Sequence, residues 1–407
     1  MVTPTSITEL DPADPSFVAN PHPTYARLRA NSPVQLVALP NGTRFWIITG
    51  HDEARLAMSD HRLGKDPGLA AEHLRSGPNP LLSEKRPFGN HLLTSDPPDH
   101  SRLRKLVNKT FTVRRISALS PRIREISDGL LDDLTGRAQF DLVEDYASLL
   151  PTSVICELLG VPYDDRGQFR TWSTAVVSPN GGSAEQRDTA GYELRTYLSE
   201  LIRLKAVTPA DDLLSELVAV SEDGDRLSSA ELLSMAFLLL VVGHETTVNL
   251  IGNAALALMR NPEQLARLAA DPGLVDGAID ELIRYDGPIE TSTWRLAITD
   301  LRIGAAEIRQ GDAVLVALAA ANRDPEHFPA PDLLNITRDA SRHLGFGHGI
   351  HYCLGAQLAR AEARTAFRRL SPMLRDHELA VPEEQLEWRP GLLARGLFRL
   401  PLRRITA

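Results

Sequence analysis

Between Ser228 and Arg260 the sequence describes one long helix that has to lie inside a protein rather than on it. Ser228 and Glu231 form a capping box that starts a helix, and Asn261-Pro262 ends it. The middle, from Leu238 to Thr247, is apolar nearly all round, which implies burial in a helix-rich core. Two features there oppose burial. Gly243 costs about 1 kcal/mol against alanine in a helix interior, and a carboxylate at Glu245 beside the hydroxyl of Thr246 is expensive to desolvate. The glycine points to a close approach or a local widening of the helix, and the acid and alcohol invite a functional explanation. The structural alternative is a kinked helix in which Thr246 bonds back to the preceding turn.

The 407 residues suffice for one large helical unit or two smaller ones. With 43% hydrophobic and 24% charged residues the composition is that of a soluble globular protein, and a net charge of -9 argues against general nucleic-acid binding. The N-terminus lacks a basic start and an apolar segment, and the longest apolar stretch, Met235 to Gly243, falls short of the roughly 20 residues of a membrane span. The expectation is a cytoplasmic protein without a membrane anchor. Asn41-Gly42 predicts a hairpin joining 34–38 to 43–48. A second β region is expected at 301–316 with its turn at Gln310-Gly311-Asp312, and a small hairpin at 392–398. The segments 66–90 and 178–183, rich in proline and glycine, read as binding loops or plain surface connections.

Of the two cysteines, Cys156 lies in an apolar helical pattern and reads as core. Cys353 is different. It sits in Phe346-Gly347-His348-Gly349-Ile350-His351-Tyr352-Cys353-Leu354-Gly355, directly before the helix-forming run 356–364. A cysteine binds metal as thiolate, which backbone N–H groups and a helix N-terminus both favour. Gly347, Gly349 and Gly355 permit left-handed or close-approach backbone, so the loop can lie against a flat ligand.

This run resembles the cysteine-ligand loop of the cytochrome P-450 family, Phe-Gly-x-Gly-x-His-x-Cys-x-Gly, and matches it at every specified position. The long helix is similar to the family's Ala/Gly-Gly-x-Asp/Glu-Thr segment at Gly243, Glu245 and Thr246; it departs at Val242, where the family usually has Ala or Gly and where a larger side chain would narrow the site. The resemblance implies a mainly α fold with small β-sheets, one domain over residues 1–407, with heme b between the long helix and the cysteine loop. Cys353 is then the iron ligand, Phe346 and Gly355 frame it, and Glu245 and Thr246 relay protons during dioxygen activation.

His100 and Arg104, four apart on a helix that begins after Pro97-Pro98, form a pair suited to a carboxylate. By resemblance they join Arg295 and His351 as donors to the heme propionates, in bonds worth roughly 1.5–3 kcal/mol each. Glu281 and Arg284 match the family's Glu-x-x-Arg, a structural ion-pair network with Arg338 as candidate third member. By position, Leu238, Val241 and Val242 line one wall of the substrate pocket and Ile289, Glu290, Leu393 and Ala394 the other.

What the resemblance implies is a heme-thiolate monooxygenase that hydroxylates or epoxidises a bulky apolar molecule. The segments 242–247 and 284–290 look most like actinomycete enzymes that tailor macrolides and other polyketides. Alternatives are a peroxide-driven hydroxylase and a non-catalytic heme-thiolate sensor or carrier. No flavin or iron–sulfur segment is present, so electrons from NAD(P)H are expected through a ferredoxin and its reductase. An acidic ferredoxin would dock on a basic patch formed by Arg102, Arg342, Arg360 and Arg364, and the protein itself is expected to be a monomer.

Overall fold

The computed structural model describes residues 7–75, 91–177, 183–222 and 224–405. The described residues form two compact units: those within 7–75, 280–353 and 387–396 make the first, and those within 91–177, 183–222, 224–279, 354–386 and 397–405 the second.

A six-stranded sheet organises the first unit, in the order Thr8–Glu9, Val34–Ala38, Arg44–Ile48, Ala313–Val316, Arg295–Ala297, Leu63–Gly64. The predicted hairpin is present, with Val34 opposite Ile48 and Leu36 opposite Trp46, and Gly42 takes the left-handed backbone of its turn. Ala313–Val316 runs parallel to Arg44–Ile48 and antiparallel to Arg295–Ala297. Both faces of this central strand are covered, because Ala313 and Leu315 pack with Phe45, Ile47 and Tyr25 while Val314 and Val316 pack with Ile48, Ala57 and Met58.

The β region at 301–316 therefore divides between two sheets. Leu301–Ile303 pairs with Ala306–Ile308 in a separate ribbon, and Gly311 turns the chain into the main sheet. At 392–398 no strand pair closes within the segment; Ala394 bridges Ile289 in antiparallel fashion, and the Gly396 carbonyl accepts from the Arg389 N–H at 2.8 Å. An apolar run signals a strand but not its partner, and here the partner lies far upstream.

The long helix spans Ser229–Met259 in the second unit, with the Ser228/Glu231 capping box in place and Arg260 at its C-cap. Around it pack the helices Leu149–Leu159, Ala356–Leu374 and Pro262–Ala270. By length and composition this helix passes for a membrane span, a longer apolar element than the 235–243 stretch suggested; 61% of its most apolar window is buried inside the fold, as suits a core helix. A three-stranded antiparallel sheet, His377–Leu379, Pro401–Arg404 and Gln139–Asp141, closes the unit. Of the two loops singled out in the sequence, 66–75 carries a short turn of helix at Pro67–Leu69 and the helix Glu72–Arg75, while 76–90 and 178–182 lie outside the described residues. Ser183 caps the helix Ala184–Val207 through a capping box with Gln186.

Candidate active site

The cysteine loop is held by its own backbone. The Cys353 N–H donates to the Phe346 carbonyl at 2.9 Å, Gly347 to Leu344 at 2.8 Å, and Tyr352 to Gly349 at 3.0 Å. Gly347 and Gly349 both have positive φ, 73° and 74°. At Gly349 a side chain is excluded twice over, since a Cβ there would lie 2.6 Å from the carbonyl oxygen of Met58, at the end of the helix His51–Ser59. Gly355 has an ordinary φ of -84°, occupies the N-cap of Ala356–Leu374, and a Cβ there would meet no protein atom within 4 Å, so a left-handed backbone is not the reason for the glycine. Cys353 is half-buried, whereas Cys156 is buried and its thiol is pushed up to about 12, mainly by that burial. A cysteine held protonated in this way is inert at neutral pH.

The long helix has one open face. From Leu232 to Leu258 every residue is buried except Phe237, Leu238, Val241, Val242, Gly243, Glu245 and Thr246. Leu238, Val241, Val242, Glu245 and Thr246 follow the i, i+3, i+4, i+7, i+8 spacing of a single stripe. Val242, the departure from the family pattern, is 38% exposed and lies on that stripe. Gly243 faces the helix Leu149–Leu159, where a Cβ would stand 3.3 Å from Ile155 Cδ1, the close approach its presence suggested. The Thr246 hydroxyl donates to the Val242 carbonyl at 2.6 Å, yet the helix runs uninterrupted from Ser229 to Met259. The back-bond of the structural alternative thus exists without a break in the helix, and the hydroxyl keeps its lone pairs for a second partner.

Candidate anion donors occur in both units. On the helix Asp99–Thr110, His100 is buried and Arg104 half-buried. Burial first, and then the charge of Arg104, lower the pKa of His100, while Asp96 opposes. Arg295 is buried on its strand and reaches the Leu63 carbonyl at 3.4 Å; His351 is half-buried in the turn Gly349–His351.

Glu281 and Arg284 form a fully buried, bidentate pair, Nε to Oε2 at 2.6 Å and Nη2 to Oε1 at 2.9 Å. Oε1 also accepts from Arg338 Nε at 3.2 Å and from the Asn335 N–H at 2.9 Å. The remaining Arg284 donors go to the carbonyls of Asn322, Pro331 and, at 3.5 Å, Leu333. A buried ion pair is tolerated when its lone pairs and protons are satisfied in this way.

Comparison with known proteins identifies this architecture. The Cytochrome P450 family model matches residues 273–398. The cytochrome P450 monooxygenase PikC of Streptomyces venezuelae is 48% identical over 392 residues, covering 95% of this chain and 92% of PikC. Vitamin D(3) 25-hydroxylase of Pseudonocardia autotrophica is 46% identical over 407 residues, covering 98% of both. The solved structure of PksS, the cytochrome P450 of the Bacillus subtilis 168 bacillaene polyketide synthase, superposes with a TM-score of 0.88 at 37% identity, covering 96% of this chain and 98% of that one. The chain belongs to the cytochrome P450 family. It is a monooxygenase, an oxidoreductase that depends on heme iron and incorporates oxygen from dioxygen.

The residues present suit the heme of a P450. In the first unit Cys353 is half-buried on a loop whose glycines leave its backbone bare, beside Arg295 and His351 as possible carboxylate donors, and in the second unit His100 and Arg104 form another such pair on one helix. The proposed ferredoxin patch fares less well. Arg102 is ion-paired with Asp225 and Glu231, and Arg364 with Asp276, so two of its four cations are already compensated within the second unit.

Glu290 is placed unlike an open pocket residue. It is 3% exposed and accepts a hydrogen bond from the Tyr25 hydroxyl. Nearby, Arg395 donates Nε to Asp286 at 2.7 Å and its Nη atoms to the carbonyls of Val18 and Ala19 at 3.0 Å, its guanidinium stacks 3.8 Å over the Trp388 ring, and His22 lies 3.5 Å from Asp286. Burial raises the Glu290 carboxyl to about 7 against the pull of Tyr25 and Arg395. Burial would also raise Asp286, but Arg395 and His22 override it and hold that carboxyl well below the usual range. Sequence reasoning missed this network, and no local signal pointed to it.

Proposed function

We propose that this P450 hydroxylates or epoxidises a bulky, largely apolar substrate of the polyketide class. The observation that carries the reading is the open stripe on an otherwise buried helix, where Leu238, Val241 and Val242 present apolar surface next to Glu245 and Thr246. Ile289 and Ala394, joined by their bridge, and the 47% exposed Leu393 offer further apolar surface in the first unit. With Glu290 bonded to Tyr25, the wall is more apolar than the sequence suggested, which favours a hydrophobic ligand. The similarity to PksS of a bacillaene polyketide synthase and to a vitamin D(3) 25-hydroxylase supports a polyketide and, as second choice, a vitamin D-like molecule.

In this reading the cofactor is heme b, ligated by the Cys353 thiolate and flanked by Phe346 and Gly355, with His100, Arg104, Arg295 and His351 binding its propionates. The heme supplies reductive activation of dioxygen and transfer of one oxygen atom. Glu245 and Thr246 supply protons: Thr246 Oγ1 accepts a proton on a lone pair as it passes its own onward, and Glu245 replenishes it. Glu281, Arg284 and Arg338 hold the fold. The enzyme works as one cytoplasmic, monomeric domain, with electrons from NAD(P)H through a ferredoxin reductase and a ferredoxin.

Titrating the ferric protein with polyketide, steroid and terpene ligands while following the iron spin state tests the substrate class; polyketides should give the largest shift at the lowest concentration. Turnover with NADPH, reductase and ferredoxin tests the reaction. Product formed only with added peroxide would favour the peroxide-driven alternative, and no product under either regime would favour a sensor or carrier.

A further inference from the structure

At the start of the helix His51–Ser59, three potential metal ligands converge that neither the family resemblance nor the proposed chemistry uses. Nδ1 of His51, a carboxylate oxygen of Asp52 and Nε2 of His327 all lie within 4.8 Å of one another. We propose that His51, Asp52 and His327 form a binding site for a borderline divalent cation, zinc or copper.

His51 is held in one tautomer with one nitrogen unpartnered. Its side chain is completely buried, and its Nε2 lies 3.1 Å from the carbonyl oxygen of Arg342. A carbonyl only accepts, so Nε2 bears the proton and Nδ1 carries a lone pair. That lone pair is buried without a hydrogen bond, and the Asp52 oxygen stands 3.9 Å away. Buried polar atoms without partners are uncommon and call for an explanation. An imidazole whose second nitrogen donates to a backbone carbonyl is the usual form of a metal-bound histidine.

The spacing of the ligands fits one small ion. With bonds of about 2.0–2.2 Å, ligand atoms around a tetrahedral ion stand roughly 3.3–3.5 Å apart. His327 Nε2 and Asp52 Oδ1 are 3.2 Å apart, and the Asp52 side chain, 77% exposed, has room to turn toward His51. The two rings lie 4.0 Å apart with a 26° tilt, so a modest rotation of His327 aligns its nitrogen. Water would complete the coordination shell.

Charge does not forbid the ion. The positive end of the helix dipole opposes a cation, but Asp52 and Asp324, which accepts the His51 N–H at 3.0 Å, place two carboxylates there. Two imidazoles and one carboxylate suit zinc or copper better than calcium or magnesium, which prefer oxygen. A bound ion would pin the helix whose far end, at the Met58 carbonyl, supports Gly349 of the cysteine loop. The site's role is thus structural.

The test uses the full-length, heme-loaded protein without a histidine tag, stripped with a chelator and titrated with zinc alone against a chromophoric competitor. Wild type should bind one zinc more tightly than any other site, and His327→Ala and Asp52→Asn should each weaken that binding at least tenfold. His61→Ala, at an exposed histidine outside the cluster, should leave it unchanged. Zinc should also raise the thermal unfolding midpoint of wild type and not of the two variants. Equal zinc affinity in wild type, His327→Ala and Asp52→Asn would overturn the site.

Discussion

Tyr25 donates its hydroxyl to Glu290 across 265 residues of sequence, and both side chains are buried. The folded protein holds the Glu290 proton up to about pH 7, against a reference of 4.5, so this group favours folding at low pH and that contribution fades as pH rises from about 4.5 through about 7. The full span amounts to about 3 kcal/mol. Denaturant unfolding of Glu290→Gln across this range should lack that decline. In Tyr25→Phe the bond that favours the carboxylate is gone, so the decline should shift to higher pH. A wild-type profile parallel to that of Glu290→Gln would remove the assignment.

The two cysteines should separate cleanly. Reduced protein under carbon monoxide should show the red-shifted Soret band of thiolate ligation, Cys353→Ser should lose it, and Cys156→Ser should keep it. Retention of the band in Cys353→Ser would exclude Cys353 as ligand.

Thr246→Ala should consume NADPH at a rate within a few fold of wild type while most of the reducing equivalents appear as peroxide. Glu245→Gln should slow turnover by about a hundredfold or more, in keeping with the loss of a positioned proton donor. Product and peroxide measured against NADPH oxidation decide the matter; unchanged coupling in both variants would exclude the relay.

Val242 projects from the open stripe, so Val242→Ala should enlarge the space over it without loss of folding stability, since the side chain is 38% exposed. Product ratios and ligand-binding spectra across a substrate series should shift toward bulkier ligands. Identical ratios would show that Val242 does not shape selectivity.

Much of this was legible because its signals are local. A capping box starts the long helix, Asn41-Gly42 turns the hairpin, and the glycines around Cys353 announce a bare loop. The open stripe was not legible as such, because apolar side chains that face a ligand look in sequence like those that face a core; Leu238 and Leu239 differ only in what covers them. Glu281 and Arg338 could be paired only through the family resemblance. Arg395 was out of reach altogether: its acceptors at Val18 and Ala19 lie 377 and 376 residues away, and no periodicity reaches so far.

The Arg395 cluster also makes the beginning of the chain part of its end. A protease that cut after His22 would leave a buried guanidinium without two of its acceptors and Asp286 without its neighbouring imidazole. Leader exchanges or affinity handles are therefore best joined ahead of Asp14, whose side chain caps the short helix Pro15–Ala19 that carries both carbonyls.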